Sequence, residues 1–280
     1  MRLRSMLYVP ANNENFVAKA HLRGADAVVL DLEDSVLPEH KAFARENLDA
    51  AVKSAGQLNA PVFVRINADE ANLELDLNSA IAANATALFL PKISIRSLSR
   101  VEKTLGALER GNAKVSTSII GLIEDAESLI SANEIAKSDR ILGLALGSED
   151  FATSIGADPV PGTLKYPKLL LHYAAKANGK MSFGLFRSVT DYNDVCSIEA
   201  AAAEAKSHGF DGATCVHPNA VTALNKGFSP TSEDVAWAKR LIAGSKNITS
   251  GAFVFEGKMV DAPVLERARK ILATANHDLI

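Results

Sequence analysis

The chain has 280 residues, of which 48% are hydrophobic and 6% aromatic, and its formal net charge is −3. That is apolar material for a large core, in one domain or two. The mild acidity argues against a broad polyanion-binding face, which needs a clustered basic excess, and so few aromatics disfavour a base- or sugar-stacking groove.

In chain order, short apolar or β-branched runs fall at 5–10, 26–32, 61–67, 87–93, 116–124, 140–147, 180–186 and 211–218. Segments with helical spacing lie between them, predicting helices over 12–23, 39–55, 96–110, 126–137, 191–208 and 218–226. The runs lack a clear inside/outside alternation, as expected of strands buried on both faces in a parallel sheet. Eight strand-then-helix units in a chain of this length predict an α/β fold, a TIM (β/α)8 barrel. A doubly wound sheet is the alternative, but the glycine-rich phosphate turns GxGxxG and GxxxxGK[ST] are missing. The barrel is placed at 1–228. Residues 229–280 form an extra C-terminal helical segment with the stretch "GAFVFEGKMVDAP" outside the repeats.

The apolar run at the N-terminus ends after Val9 at Pro10, too short for a signal h-region, and no stretch approaches the ~18 apolar residues of a membrane span. Cys196 and Cys215 have neither zinc nor disulfide-framework spacing and fit a reducing compartment. The expectation is a cytoplasmic protein with no nucleic-acid or membrane partner.

Barrel chemistry sits at the C-terminal ends of the strands. There the second run ends in Glu33 and Asp34, and the third carries Arg65 and Asn67. The fourth ends at Pro91–Lys92, the fifth at Glu124, the sixth at Glu149–Asp150 and the eighth at His217–Pro218. Acids without an adjacent His or Cys suit a hard cation such as Mg²⁺, which takes oxygen ligands and one or two protein carboxylates. Glu124 and Asp150 are the expected ligands. Arg65 has the planar fork that pairs bidentately with a substrate carboxylate. Each charge alone could equally be a solvated strand end. Their combination points to a site.

The motifs "RSMLYVPAN" (4–12), "GADAVVLDLEDSV" (24–36), "VRIN" (64–67), "LPKI" (90–93), "GLIEDAESL" (121–129), "LGSEDFATSIG" (146–156), "GFDGATCVHPNAV" (209–221) and "GKMVDAP" (257–263) occur in this order over almost the whole chain. Together they resemble the HpcH/HpaI aldolase and citrate lyase β-subunit superfamily, in its citrate lyase β-like and malyl-CoA lyase branch. The resemblance implies a Mg²⁺-dependent carbon–carbon lyase that assembles as a homotrimer or hexamer. The substrate would be a carboxylated β-hydroxyacyl-CoA, split into an α-keto acid and an acyl-CoA, or formed from them. It further implies Glu124 and Asp150 as metal ligands, Arg65 as a catalytic and substrate-binding cation, and Asp261 as a proton donor or acceptor reaching a neighbouring subunit. Asp261 also reads as a helix N-cap before Pro263.

Glu33 and Asp34 are candidates for orienting water and fixing Arg65, with the inward one left open, and Asp31 is placed inside the strand. Arg4, Asn67 and Lys92 complete the substrate-binding candidates. Lys92 is read as a structural or phosphate-facing charge, since the chemistry needs no Schiff base. Two stretches depart from the family pattern. After the seventh run the chain reads "MSFGLFRSVTDYND" where many relatives have an acid at the strand end. "DPVPGTLKYPK" (158–168), with three prolines, predicts a stiff loop. The alternatives are a citryl carrier-protein lyase subunit, an aldolase on free hydroxy-keto acids, a non-catalytic barrel subunit, and a metal-free glycosidase using Glu33 and Glu124.

Overall fold

Side chains on successive strand residues point to opposite faces, and this alternation builds two cores here. The computed structural model describes residues 1–112, 116–188, 192–245 and 251–276. Eight parallel strands form one sheet: β1 (Ser5–Pro10), β2 (Ala27–Asp31), β3 (Val62–Arg65), β4 (Ala87–Leu90), β5 (Ser118–Ile123), β6 (Ile141–Leu146), β7 (Met181–Phe183) and β8 (Ala213–Cys215). β1 pairs with both β2 and β8, and the order runs from β8 through β1 in sequence to β7. A parallel bridge between Phe183 and Gly212 joins β7 to β8, so the sheet curls into a nearly closed TIM barrel surrounded by helices.

Within the barrel, Leu3, Met6, Ala27, Val29, Phe63, Ala87, Phe89, Ile120, Leu122, Ala145 and Phe183 form an inner cluster. The intervening strand residues, among them Leu7, Val28, Leu30, Val64 and Leu88, pack outward against the helices in a larger cluster. The alternation that the sequence reading missed is therefore present. Both faces are apolar, so hydrophobicity alone conceals it.

Three helices of the barrel unit lie where none was predicted, one of them the short Ser148–Ser154. Leu73–Ala82 buries Leu73, Leu77, Ala80 and Ile81. Pro161–Ala177 occupies most of the expected stiff loop at 158–168. That expectation is corrected by position: Pro161 stands in the first turn, where an amide has no intrahelical partner. Pro167 is tolerated mid-helix because the buried stripe of Leu164, Lys168, Leu171, His172 and Ala175 anchors the helix on both sides of it. The predicted helix over 39–55 is interrupted at Asn47 and that over 126–137 at Ser131. The predicted helix over 191–208 appears as Val195–Ser207, with Asp194 capping the Ser197 amide, while residue 191 lies outside the described residues.

Contacts divide the chain into two units, Met1–Phe228 and Ser229–Ile280. The second packs helices Ser232–Ser245 and Ala262–Asn276 with a hairpin of β9 (Phe253–Phe255) and β10 (Lys258–Val260) around Ala238, Leu241, Val260 and Ala268. Glu256 and Gly257 make the two-residue hairpin turn, both at positive φ as a type I′ turn requires. Among the described residues no helix is long and apolar enough to cross a membrane.

Candidate active site

Carried to the strand ends, the inward parity changes from apolar to polar. Tyr8 on β1 packs on the inner cluster. Asp31 ends β2 two residues past Val29, Arg65 ends β3 two past Phe63, Glu124 follows β5 two past Leu122, and Gly147 follows β6 two past Ala145. Register then sets neighbours, because Asp31 pairs directly with Arg65 across β2 and β3.

Arg65 is held by carboxylates. Its Nε donates to Asp31 Oδ1 and its Nη2 to Asp31 Oδ2, both at 2.7 Å. Asp31 also accepts from the Glu33 amide (2.9 Å), the Ser35 amide (3.0 Å) and the Ser35 hydroxyl. Burial alone would raise the Asp31 carboxyl, but the Arg65 hydrogen bonds outweigh it and hold it below the usual range. Nη1 donates to Asp34 Oδ2 at 2.9 Å and lies 2.8 Å from Glu33 Oε2. That second contact is an ion pair without hydrogen-bond geometry, so the buried Oε2 accepts no hydrogen bond. The Glu33 side chain is 13% exposed and that of Asp34 67%, so Glu33 is the inward one of the pair. Burial, reinforced by Asp34, Glu124 and Asp31 against the pull of Arg65, pushes Glu33 up to about 8.

Glu124 is buried and its Oε2 accepts from the Lys92 amide at 3.1 Å. Lys92 reaches that position with φ 47°, a left-handed conformation costly for a side-chain-bearing residue. Burial first, then the neighbouring charge of Asp150, pushes Glu124 up to about 7. A Cβ on Gly147 would stand 2.6 Å from Glu124 Cγ, so the bare backbone there is what gives the carboxylate its place. Asp150 is exposed and lies in the first turn of the short helix Ser148–Ser154 rather than on the strand.

Do these residues fit Mg²⁺? The donors are all carboxylate oxygens, acids outnumber the cations beside them, and Glu124 and Glu33 are both poorly compensated. Among the described residues no group of three or more His, Cys, Asp or Glu is arranged as a metal cage. Two carboxylates are nonetheless what Mg²⁺ commonly takes, with water or substrate oxygens completing the shell. The set fits.

The other candidates fall elsewhere. Asn67 is buried and fully engaged: Nδ2 donates to Leu32 O (2.8 Å) and Asp76 Oδ2 (2.7 Å), and Oδ1 accepts from Lys41 Nζ (2.6 Å). It braces the loop under Glu33 and offers no group to a substrate. Arg4 lies at the N-terminal end of β1, away from the rim, with Nε and Nη2 forked onto Asp26 at 2.8 and 2.7 Å. The Lys92 side chain is exposed, and its amide is the part that touches the site. Asp261 precedes the helix Ala262–Asn276 in the second unit and accepts a long, 3.4 Å cap bond from the Val264 amide. Arg65, Glu33, Asp34, Glu124 and Asp150 are gathered at one end of the barrel, with Asp31 and Tyr8 added. Parity from Val29 and Met6 was the signal for those two.

A family model, HpcH/HpaI aldolase/citrate lyase, matches residues 4–218. The chain belongs to this family. Relatives within it include the citrate lyase subunit beta of Escherichia coli K12, 32% identical over 97% of this chain and 93% of that one. The mitochondrial citramalyl-CoA lyase of Mus musculus is 31% identical over 97% of this chain and 86% of its own. Among solved structures, the protein CitE of Mycobacterium tuberculosis in complex with magnesium, acetoacetate and coenzyme A superposes with a TM-score of 0.80. It is 29% identical, covering 98% of both chains.

Proposed function

We propose that this family member is a Mg²⁺-dependent carbon–carbon lyase acting on a carboxylated β-hydroxyacyl thioester of the malyl- or citramalyl-CoA type. The observation that carries the reading is the Glu124 carboxylate, buried beside Asp150 in a place cleared by Gly147, two strand ends away from the acid-braced Arg65. A relative named citramalyl-CoA lyase and a structural neighbour holding magnesium, acetoacetate and coenzyme A support the substrate class.

Glu124 and Asp150 would hold the ion. Bound there, Mg²⁺ supplies Lewis-acid polarisation of the substrate's hydroxyl and carboxylate oxygens. In the cleavage direction the hydroxyl passes its proton to a carboxylate of the site as the adjacent carbon–carbon bond breaks. The hydroxyl carbon becomes the keto carbon, and the electron pair passes to the thioester as an enolate that a proton then quenches.

Arg65 stabilises the oxygen charge through its Nη1–Nη2 edge, which Asp31 leaves open and where Glu33 and the exposed Asp34 would share Nη1 with the substrate. Glu33, which burial pushes up to about 8, is placed beside Arg65 to exchange a proton near neutral pH. Asp261 of a neighbouring copy is the proposed further proton donor or acceptor, in a trimeric or hexameric assembly. The thioester is on coenzyme A in this reading; a carrier-protein thioester, as in a citrate lyase complex, is the alternative. Incubating the protein with malyl-, citramalyl- and citryl-CoA and trapping the released keto acid distinguishes them. Release from the first two is expected, and turnover of citryl-CoA alone would favour the citrate lyase reading.

A further inference from the structure

At the mouth of the barrel one polar group is unused by the network just described. Tyr8 projects inward from β1, its ring edge-on to Phe89 at 5.8 Å, and the Arg65 guanidinium lies 4.9 Å from its ring centroid. Four charged groups of the site act on its phenol: Arg65, Asp31, Glu124 and Glu33. Among the described residues none forms a hydrogen bond with the Tyr8 hydroxyl, and its only partners are the two ring contacts.

An interior phenol is an expensive way to pack a barrel, since phenylalanine would fill the same space without a donor to satisfy. Below it, Tyr8 packs on the apolar inner cluster, and the polar groups near it, Asp31, Arg65 and Glu124, all lie at the strand ends, so the described residues place its open side toward the mouth. Burial, with the surrounding carboxylates adding to it and Arg65 opposing, raises the phenol above its ordinary range, so at neutral pH it is a donor. A hydroxyl whose ring is held by Phe89 and Arg65, and which lies among the residues assigned to the substrate, is a preorganised donor.

We propose that the Tyr8 hydroxyl donates a hydrogen bond to the substrate oxygen on which charge develops, between Arg65 and the Glu124–Asp150 pair. The ligand class is the 2-hydroxy or 2-keto acid end of the substrate, and the inference rests on the lyase reading above. The test is Tyr8→Phe, which keeps the ring contacts to Phe89 and Arg65 and removes only the hydroxyl. Measured with Mg²⁺ present, kcat for thioester cleavage should fall by roughly 10²-fold, the scale of losing one oxyanion donor, with a smaller change in KM. Binding of pyruvate or oxaloacetate, followed by calorimetry, should weaken in parallel, while Tm stays level or rises.

Wild-type kcat and wild-type keto-acid affinity in the variant would overturn the proposal. So would a fall in kcat matched by a fall in Tm, which would make the hydroxyl a structural element. If the unmutated protein neither cleaves any of the three thioesters nor binds either keto acid, the lyase reading itself fails and takes this role with it. That outcome is distinct from an active enzyme indifferent to Tyr8→Phe.

Discussion

At Gly147 a single methyl group decides the geometry of Glu124. Its backbone suits an L-residue, with φ −70° and ψ 95°, so alanine is not strained in itself; the nearest atoms the added carbon would meet are all of Glu124, at 2.6 Å from Cγ and 3.0 Å from Oε1. Gly147→Ala should therefore leave the barrel folded and displace one carboxylate. Mg²⁺ affinity, measured by calorimetric titration, should drop by about 10- to 100-fold, as when a ligand's supporting contacts are lost. Unchanged affinity would remove Glu124 from the metal site.

The same scale shows what could be read in advance. Glu33, Asp34, Arg65, Glu124 and Asp150 all terminate apolar runs, and a barrel brings such ends together, so the sequence was enough to group them. Asp31 and Tyr8 needed the alternation, which is invisible when both faces of a strand are apolar. Asn67 was misjudged for a different reason: its orientation is set by Asp76 and Lys41, which lie 9 and 26 residues away.

Among the elements, the seam between β7 and β8 is the weakest join of the barrel, and an outer helix strengthens it. Lys168, on the helix Pro161–Ala177, is 2% exposed and sends Nζ to Leu185 O at 2.5 Å and Arg187 O at 3.1 Å, clasping the chain as it leaves β7. Burial pushes this lysine down to about 7, with Glu149 opposing. A neutral amine has two N–H groups, enough for both carbonyls. The unfolded chain keeps an ordinary lysine near 10.4 and so binds more protons than the native state between about pH 7 and 10. Lys168 therefore contributes stability that increases with pH across that window and is lost as pH falls through 7. Urea unfolding of wild type and Lys168→Met should give curves that diverge upward for wild type from pH 7 to 10, and parallel curves would contradict this. Nothing in the local pattern announced the clasp, because a lysine within a three-proline stretch reads as solvated loop.

For the whole molecule, the order of the eight strands followed from counting strand-like runs, whereas the assembly is a proposal drawn from the resemblance. Asp261 belongs to the second unit and Glu124 to the first. If Asp261 serves a neighbouring copy, Asp261→Ala should abolish most activity while leaving Mg²⁺ affinity intact. Co-refolding it with Glu124→Ala chains should restore part of the activity, since some sites then combine both intact residues. Mixed chains that stay as inactive as either parent would place Asp261 outside the shared chemistry.

All of this depends on whether the buried carboxylates work through a metal. The measurement that decides it is the rate of keto-acid release from malyl- and citramalyl-CoA, taken with Mg²⁺, with EDTA, and in Glu124→Ala. Metal-dependent release should vanish in EDTA, return when Mg²⁺ is restored, and fall by roughly 10³-fold or more in the variant. Release that survives EDTA, or is equal in Glu124→Ala and wild type, would contradict the metal-dependent lyase account.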